Sequence, residues 1–459
     1  MRSSDLRLRD TDDMPSIIPF RGLFYNKEKI KDLRLVVTPP YDVISDVAQE
    51  GFYRCHEKNI VRVELGKIHP GDNEEESRYT RASSYLKEWV DSGVLIRDSI
   101  PSIYLYTLEY PYSGSYKRLS GLLTLVKLEE PGKGRIFLHE ETFSKHRTDR
   151  LNLIRQCKGN LSPIFSLYTG ENLAEQVERD IPQDSPRIDI VDDEGIRHKV
   201  WAVSNEGIVN GLTDSMKDES LFIADGHHRF DTALRYRDEM RLKEGDRGEK
   251  PYDYVMMFLV NIEDKGITVL PTHRVFRETS GVTCEEFLSR AGRYFKIDGL
   301  PFMETEKDIP RLLDEMSLKG EREKVFGVYF KEGKRYYLLT LKDEGIMDEI
   351  GPKERSAKWR RLDVSVFQTI ILRRLFDIEN ERESEKKILY IKDPQEAVRR
   401  ADLEEGGIAF FLNPTKIRDV KEISVGGEMM PHKSTYFYPK PLTGLVINSF
   451  NPAYLPASR

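Results

Sequence analysis

Cysteine is scarce in this chain. Cys55, Cys157 and Cys284 are its only three in 459 residues, odd in number, far apart, and without a CxxC pair or a zinc-ligand spacing. That excludes a disulfide framework and a cysteine-built metal site, and makes a reduced, cytoplasmic setting the expected one. Long apolar runs are missing too. The longest, VMMFLV at 255–260, is far shorter than the ~20 residues that span a bilayer, so no membrane partner is expected. The opening MRSSDLRLRD leads into no apolar stretch, and no signal peptide is read there. No excess of basic charge exists: 72 Lys and Arg face 78 Asp and Glu, net −6. A global field that would draw the chain to nucleic acid or anionic lipid is therefore absent. Neither GxxxxGK[ST] nor a strand-linked GxGxxG occurs, which disfavours a P-loop nucleotide site and a Rossmann dinucleotide site.

What is present fits a soluble globular protein, with 39% hydrophobic and 33% charged residues and a length that suggests two or three domains. Residues 1–13 read as a disordered tail. LRLVVTPPYDVI (33–44) reads as extended, with Pro39-Pro40 stiffening the turn before Asp42. YTRASSYLKEWV has helical periodicity, with Tyr79, Ala82, Leu86 and Val90 on one side. SIYLYTLEY and LSGLLTLVKL flank a Ser-Gly turn and predict a hairpin. TDRLNLIRQ predicts a helix capped by Thr148. Beyond about residue 280 amphipathic helices alternate with strands, and VSVFQTIILRRLF reads as one of the helices. The expected fold class is mixed α/β (α+β), with a catalytic region over 14–279 and a second α/β domain over 280–459. The segment 430–450 is expected to return to the site.

LFIADGHHRF, 221–230, is the least ordinary stretch. It reads as a strand, a sharp Asp225-Gly226 turn and a helix running to about Leu242. Free N–H groups at the helix start, the helix dipole and the exposed backbone of Gly226 together favour an anion, phosphate first. His227, His228 and Arg229 add donors there. Adjacent histidines lie roughly 100° apart on a helix and share one ion poorly, so a histidine metal site is the weaker reading. The bland alternative is Asp225 as an N-cap with the histidines packed beneath it.

Other clusters carry charge. HEETFSKHRTDRL (139–151) is not HExxH, because Phe143 stands at the second histidine position, so metalloprotease chemistry fails. Glu140 is nevertheless a candidate base beside cationic neighbours. LPTHRV offers His273 and Arg274, and MPHKSTYFYPK offers Lys433, Ser434, Thr435 and Tyr436, a charge and hydroxyls able to clamp phosphate. Each also has a plain structural reading: a solvated turn, a β-turn and one face of a strand.

Taken in order, PFRGLFYN, TPPYDVIS, HEETFSKHRTDRL, NLSPIFSLY, IADGHHRFDTAL, LPTHRV and MPHKSTYFYPKPLTGLVI resemble the signature blocks of the domain-of-unknown-function family numbered 1015. The DGHHR block also resembles the phosphate-binding motif of the ParB/sulfiredoxin fold, whose members include free-serine kinases using ADP or pyrophosphate. The resemblance implies a ParB/sulfiredoxin-like core and a phosphotransferase. Its expected acceptor is the hydroxyl of free L-serine, with O-phospho-L-serine as product. Its expected donor is pyrophosphate or a nucleotide (ADP or ATP), held as a magnesium complex.

By motif, the resemblance assigns phosphate binding to Gly226, His227, His228, Arg229, Arg150, Arg274, Lys433, Ser434 and Thr435. It assigns catalysis to Glu140, Asp225, His228 and Asp42, with Asp225 also on the metal, and substrate contacts to His139, Thr142, His273 and Tyr436. Glu140, or failing it Asp42, is expected to take the hydroxyl proton. The block after Thr142 departs from the usual pattern, carrying Lys145-His146-Arg147, which bears on donor preference. Two rivals stand beside this reading. One is a phosphoserine phosphatase acting in the same pocket; the other is a ParB-like nucleotide-dependent DNA-binding protein, disfavoured by the net charge and the lack of a helix-turn-helix.

Overall fold

The computed structural model describes residues 16–140, 144–245, 248–279, 281–300 and 305–451. The tail expected at 1–13 and Thr142 lie outside the described residues. Contacts divide the chain into two units. Unit one runs to Leu138, resumes ahead of the helix Ser144–Cys157, ends at Ile267, and recovers the chain from Pro439. Unit two holds His139 and Glu140 with Thr268–Tyr438. This division falls earlier than the break expected after residue 279, and it parts the 430–450 segment at Tyr438.

Unit one is built on a nine-stranded sheet. In chain order its strands are β1 (Ile17–Ile18), β2 (Ile103–Tyr112), β3 (Ser115–Lys127), β4 (Ile136–Phe137) and β5 (Ile164–Tyr168). They continue as β6 (Ile188–Val191), β7 (Arg197–Val203), β8 (Leu221–Asp225) and β9 (Tyr254–Asn261). Their order is β4-β8-β5-β9-β3-β2-β7-β6, with β1 beside β3. Only β8 with β4 and β9 with β5 pair in parallel. β2 and β3 form the expected hairpin, turning at Ser113 and Gly114, both at positive φ. Every residue of β9 is buried: on one face helix residues Leu173, Val177, Leu212, Met216, Phe230 and Leu234 pack on one core with Leu122, Val255 and Leu259, and on the other Phe258 meets the Tyr106 and Phe165 rings. This is why VMMFLV is continuously apolar rather than alternating.

Several local expectations shift. Residues 33–44 are not extended. Short 3-10 turns form at Leu33–Leu35, where the Asp32 carboxylate caps the backbone, and at Tyr41–Val43 after Pro40. The helix expected from Thr148 begins at Ser144, so Thr148 lies inside it. In the helix Arg78–Asp91 the buried residues are Ala82, Leu86 and Trp89, and Trp89 rather than Val90 completes the apolar face.

Unit two carries a six-stranded sheet. Its strands are β10 (His273–Phe276), β11 (Phe295–Leu300), β12 (Val325–Phe330), β13 (Arg335–Leu341), β14 (Ile388–Ile391) and β15 (Ile408–Phe411). The order is β11-β13-β12-β15-β10-β14 and every pairing is antiparallel. Helices Thr305–Gly320 and Pro394–Leu403 contribute Leu312, Met316, Ala397 and Ala401 to its core. VSVFQTIILRRLF is helical as expected, but from Phe367 to Leu375 it is wound as a π-helix, with Phe376 N–H donating to Ile371 C=O at 3.2 Å. All three cysteines are free. Among the described residues no helix is long and apolar enough to cross a membrane.

Candidate functional site

The end of β8 is where unit one gathers its charge. The β8–β5 register shifts between Ile223, opposite Ser166, and Asp225, opposite Phe165, so Ala224 is an extra residue in the ladder just before the turn. Gly226 then takes φ 98, a conformation that L side chains rarely adopt, and the eighteen-residue helix His227–Glu244 follows without a side-chain cap. Asp225 is therefore not the N-cap. Its Oδ2 accepts from Arg229 Nη2 at 2.6 Å and its Oδ1 faces Lys440 Nζ at 2.5 Å. The carboxylate turns away from the helix start because two buried cations compete for it.

Lys440 also donates to Asp42 Oδ2 at 2.7 Å. Asp42 sits on the Tyr41–Val43 turn, and Thr443 pairs with Thr38 through N–H···O bonds of 2.8 and 3.3 Å, which lays the 440–443 segment beside that turn. Lys440 thus bridges two carboxylates while only 8% of its side chain is exposed. Arg229 lies across Gly226: a β-carbon placed there would meet its Nε at 2.9 Å and Nη2 at 3.0 Å. Its Nη1 donates to Pro163 C=O at 2.6 Å and Ser162 Oγ at 3.1 Å, and Ser162 Oγ reaches Glu64 Oε1 at 3.4 Å. His227 is buried and His228 half-buried at the first helical positions.

Arg150 terminates this network instead of facing the turn. Its Nη1 bonds Glu64 Oε1 at 3.1 Å and Glu64 C=O at 2.9 Å, and its Nε and Nη2 grip Asp149 Oδ2 at 2.8 and 2.6 Å. The guanidinium also lies over the Tyr41 ring at 4.0 Å. Burial opposes the Arg150 charge, but Glu64 and Asp149 outweigh it and hold its pKa above the ordinary value. Burial raises the Glu64 carboxyl against the pull of Arg150 and Arg229, and burial lifts the Tyr41 phenol to about 12. Burial also disfavours the Asp149 charge, yet Arg150 and Arg78 bring that carboxyl below its usual range.

Unit two holds the remaining predicted residues. Glu140 Oε1 faces His432 Nδ1 at 3.0 Å and accepts from the Lys433 N–H at 3.3 Å. His139 is buried, with Nε2 at 2.9 Å from Thr435 Oγ1. Ser434 is buried and its hydroxyl donates to Pro431 C=O, so it faces the main chain. Lys433 is exposed at φ 57, and Tyr436 accepts from Lys392 Nζ at 2.9 Å. His273 is buried on β10, where burial first and Arg274 second depress it to about 3, so it is neutral. Arg274 is buried beside it and donates to the carbonyls of Thr272 and Lys433.

Within unit one, then, Asp42, Asp225, Gly226 and Arg229 come together and Arg150 supports them; within unit two, His139 with Thr435 and Glu140 with Lys433 do. Glu64 and Ser162 were missed, and Lys440, which MPHKSTYFYPK also carries, was given no role. Lys440 lies in the KSTYFYPK block, next to Pro439 and Pro441, and the proline-framed lysine is the signal that was available. The donor set does not fit the expected magnesium on Asp225. The Lys440 ammonium occupies the position from which an ion would bridge Asp42 and Asp225. Among the described residues no group of three or more His, Cys, Asp or Glu could hold a metal.

Solved structures with a similar chain path include a mutant free serine kinase in complex with ADP, at TM-score 0.32 and 13% identity over 66% of this chain and 84% of that one. A C-terminally truncated SbnI from Staphylococcus aureus gives TM-score 0.33 and 12% identity over 70% and 85%. A conserved hypothetical protein from Pyrococcus furiosus gives TM-score 0.31 and 15% identity over 68% and 91%. Likeness at this level leaves the activity to be argued from the residues. A search among curated proteins finds no match. Residues 17–365 match one family model, and the chain belongs to that family, described as Protein of unknown function (DUF1015).

Proposed function

We propose that the protein is a small-molecule kinase whose donor phosphate binds at the Asp225–Arg229 turn of unit one. Phosphate passes from pyrophosphate, or from a nucleotide such as ADP or ATP, to the hydroxyl of free L-serine. One observation carries the reading. The helix His227–Glu244 starts without a side-chain cap directly after a positive-φ glycine, with Arg229 and Lys440 beside it. Such a start presents N–H groups and partial positive charge to an anion, and the two cations neutralise Asp225 and Asp42, so an arriving phosphate meets no bare carboxylate.

In the transfer, the serine Oγ–P bond forms while the donor P–O bond breaks, releasing orthophosphate when the donor is pyrophosphate. The turn and Lys440 offset the charge spread over the equatorial oxygens. Asp42 takes the hydroxyl proton: it shares Lys440 with Asp225, whereas the Glu140 carboxylate is engaged by His432. Arg150 and Glu64 act as positioning residues through Ser162 and Arg229. Purified protein incubated with L-serine and each donor in turn, assayed for O-phospho-L-serine, tests the reading. Product with one donor and its loss in Arg229→Gln is the expected result; no product with any donor refutes it.

A further inference from the structure

We propose that unit two contains an anion pocket of its own, floored by Arg274, that binds the carboxylate of a small monoanionic compound. The inference stands on unit-two residues alone and does not rest on the phosphotransfer reading.

Arg274 projects from β10 into a cavity lined by Phe367, Gln368, Leu372, Asn380 and Tyr390, among others. It is 4% exposed. It donates to two main-chain carbonyls, those of Thr272 and Lys433, the latter at 3.1 Å. A guanidinium has five N–H donors in a fixed fork, so most of its hydrogen-bonding capacity remains for a ligand. No carboxylate among the described residues pairs with it, and the charged-group influence on it comes from Tyr390. Arg150 provides the internal contrast: equally buried, it is enclosed by Glu64 and Asp149. A fold that surrounds one buried arginine with two acids and leaves another with none has left a place for an external anion, since an unpaired buried charge is costly. Burial draws Arg274 down to about 10, which leaves it cationic at neutral pH.

Two further features point the same way. The guanidinium carbon lies 5.4 Å from the Phe367 ring centroid and 5.7 Å from that of Tyr390, so aromatic surfaces hold the cation in place without neutralising it. Phe367, Gln368 and Leu372 all belong to the π-helix, a winding that is rare and concentrates at functional sites. The charge count selects the ligand. One unpaired guanidinium faces the cavity, His432 at its edge is matched by Glu140, and Glu379 lines the wall. A dianionic phosphate would be under-neutralised and would meet Glu379. A carboxylate matches the single fork in charge and planarity, and Leu372 and Ile378 supply wall for a short aliphatic tail.

The test is isothermal titration of the full chain with sodium propionate, alone and in the presence of inorganic phosphate. Saturable propionate binding is expected, weakened about tenfold or more in Arg274→Gln, intact in Arg229→Gln, and indifferent to phosphate. Arg274→Lys keeps the charge and loses the fork, and the same loss is expected there should the glutamine variant fail to fold. Absent propionate binding, binding by both Arg274 variants as tight as by the unaltered chain, or phosphate as the ion whose binding depends on Arg274 would each overturn the assignment. The phosphate turn fails separately, by phosphate or pyrophosphate binding that is unchanged in Arg229→Gln.

Discussion

Replacing Gly226 with alanine tests the site at its tightest point. The backbone there sits at φ 98, well beyond the left-handed basin near +57° that a non-glycine residue can occupy, and the conformation alone costs about 1–2 kcal/mol. The added methyl would also lie 2.9 Å from Arg229 Nε and 3.1 Å from its Cζ. The guanidinium cannot move off without loosening its 2.6 Å bonds to Asp225 and Pro163. Losing one charge-assisted bond in this half-enclosed setting adds about 1.5–3 kcal/mol. Gly226→Ala is therefore expected to destabilise unit one by about 3–5 kcal/mol, read from urea titrations as a lowered midpoint at unchanged slope. In an Arg229→Ala background the collision is gone, and the same substitution should cost only the conformational part, about 1–2 kcal/mol. An equal cost in both backgrounds refutes the close approach of Arg229. A cost near zero in either refutes the role given to the turn.

Lys440→Met removes the cation shared by Asp42 and Asp225, and pyrophosphate affinity is expected to fall about tenfold or more by titration calorimetry, about 1.4 kcal/mol; unchanged affinity would detach Lys440 from the site. Asp42→Asn should lower phosphoserine formation by roughly 10²–10⁴-fold with donor binding retained, the range of general-base catalysis. Glu64→Gln leaves Arg150 with Asp149 alone and is expected to cost about 3 kcal/mol of stability in urea. His273 supplies a pH test. Its folded pKa of about 3 lies below the ordinary 6.5, so its contribution is present above 6.5 and is lost as pH falls from 6.5 toward 3. Stability of unit two should drop by up to about 1.4 kcal/mol per pH unit in that window, and His273→Gln should flatten the slope.

The strand–turn–helix at 221–244 was legible because its causes are local: an apolar strand, one glycine, and a helix start. The β2–β3 hairpin was legible for the same reason, through Ser113-Gly114. What Asp225 does was not legible, since the N-cap reading weighs only neighbours along the chain, and the competing cations are Arg229 and Lys440. Arg150 has the residue type of a phosphate ligand, and only the fold surrounds it with Glu64 and Asp149. The alternation of strands and helices past residue 280 carries no strand direction, and there every pairing proved antiparallel. The π-helix is equally invisible to periodicity: VSVFQTIILRRLF suits either winding, and packing decides between them.

The contact between Lys440 and Asp42 joins groups 398 residues apart in sequence. Its consequence lies in the order of events during synthesis. Asp42 and Asp225 leave the ribosome long before Lys440, and until it arrives Asp225 has Arg229 while the ammonium that joins the two carboxylates is missing. The charge cluster is therefore completed late, against a loop-closure cost set by that separation. A nascent chain can fold most of the β1–β9 sheet while its charge cluster is still incomplete. The cluster closes only when residue 440 has been made.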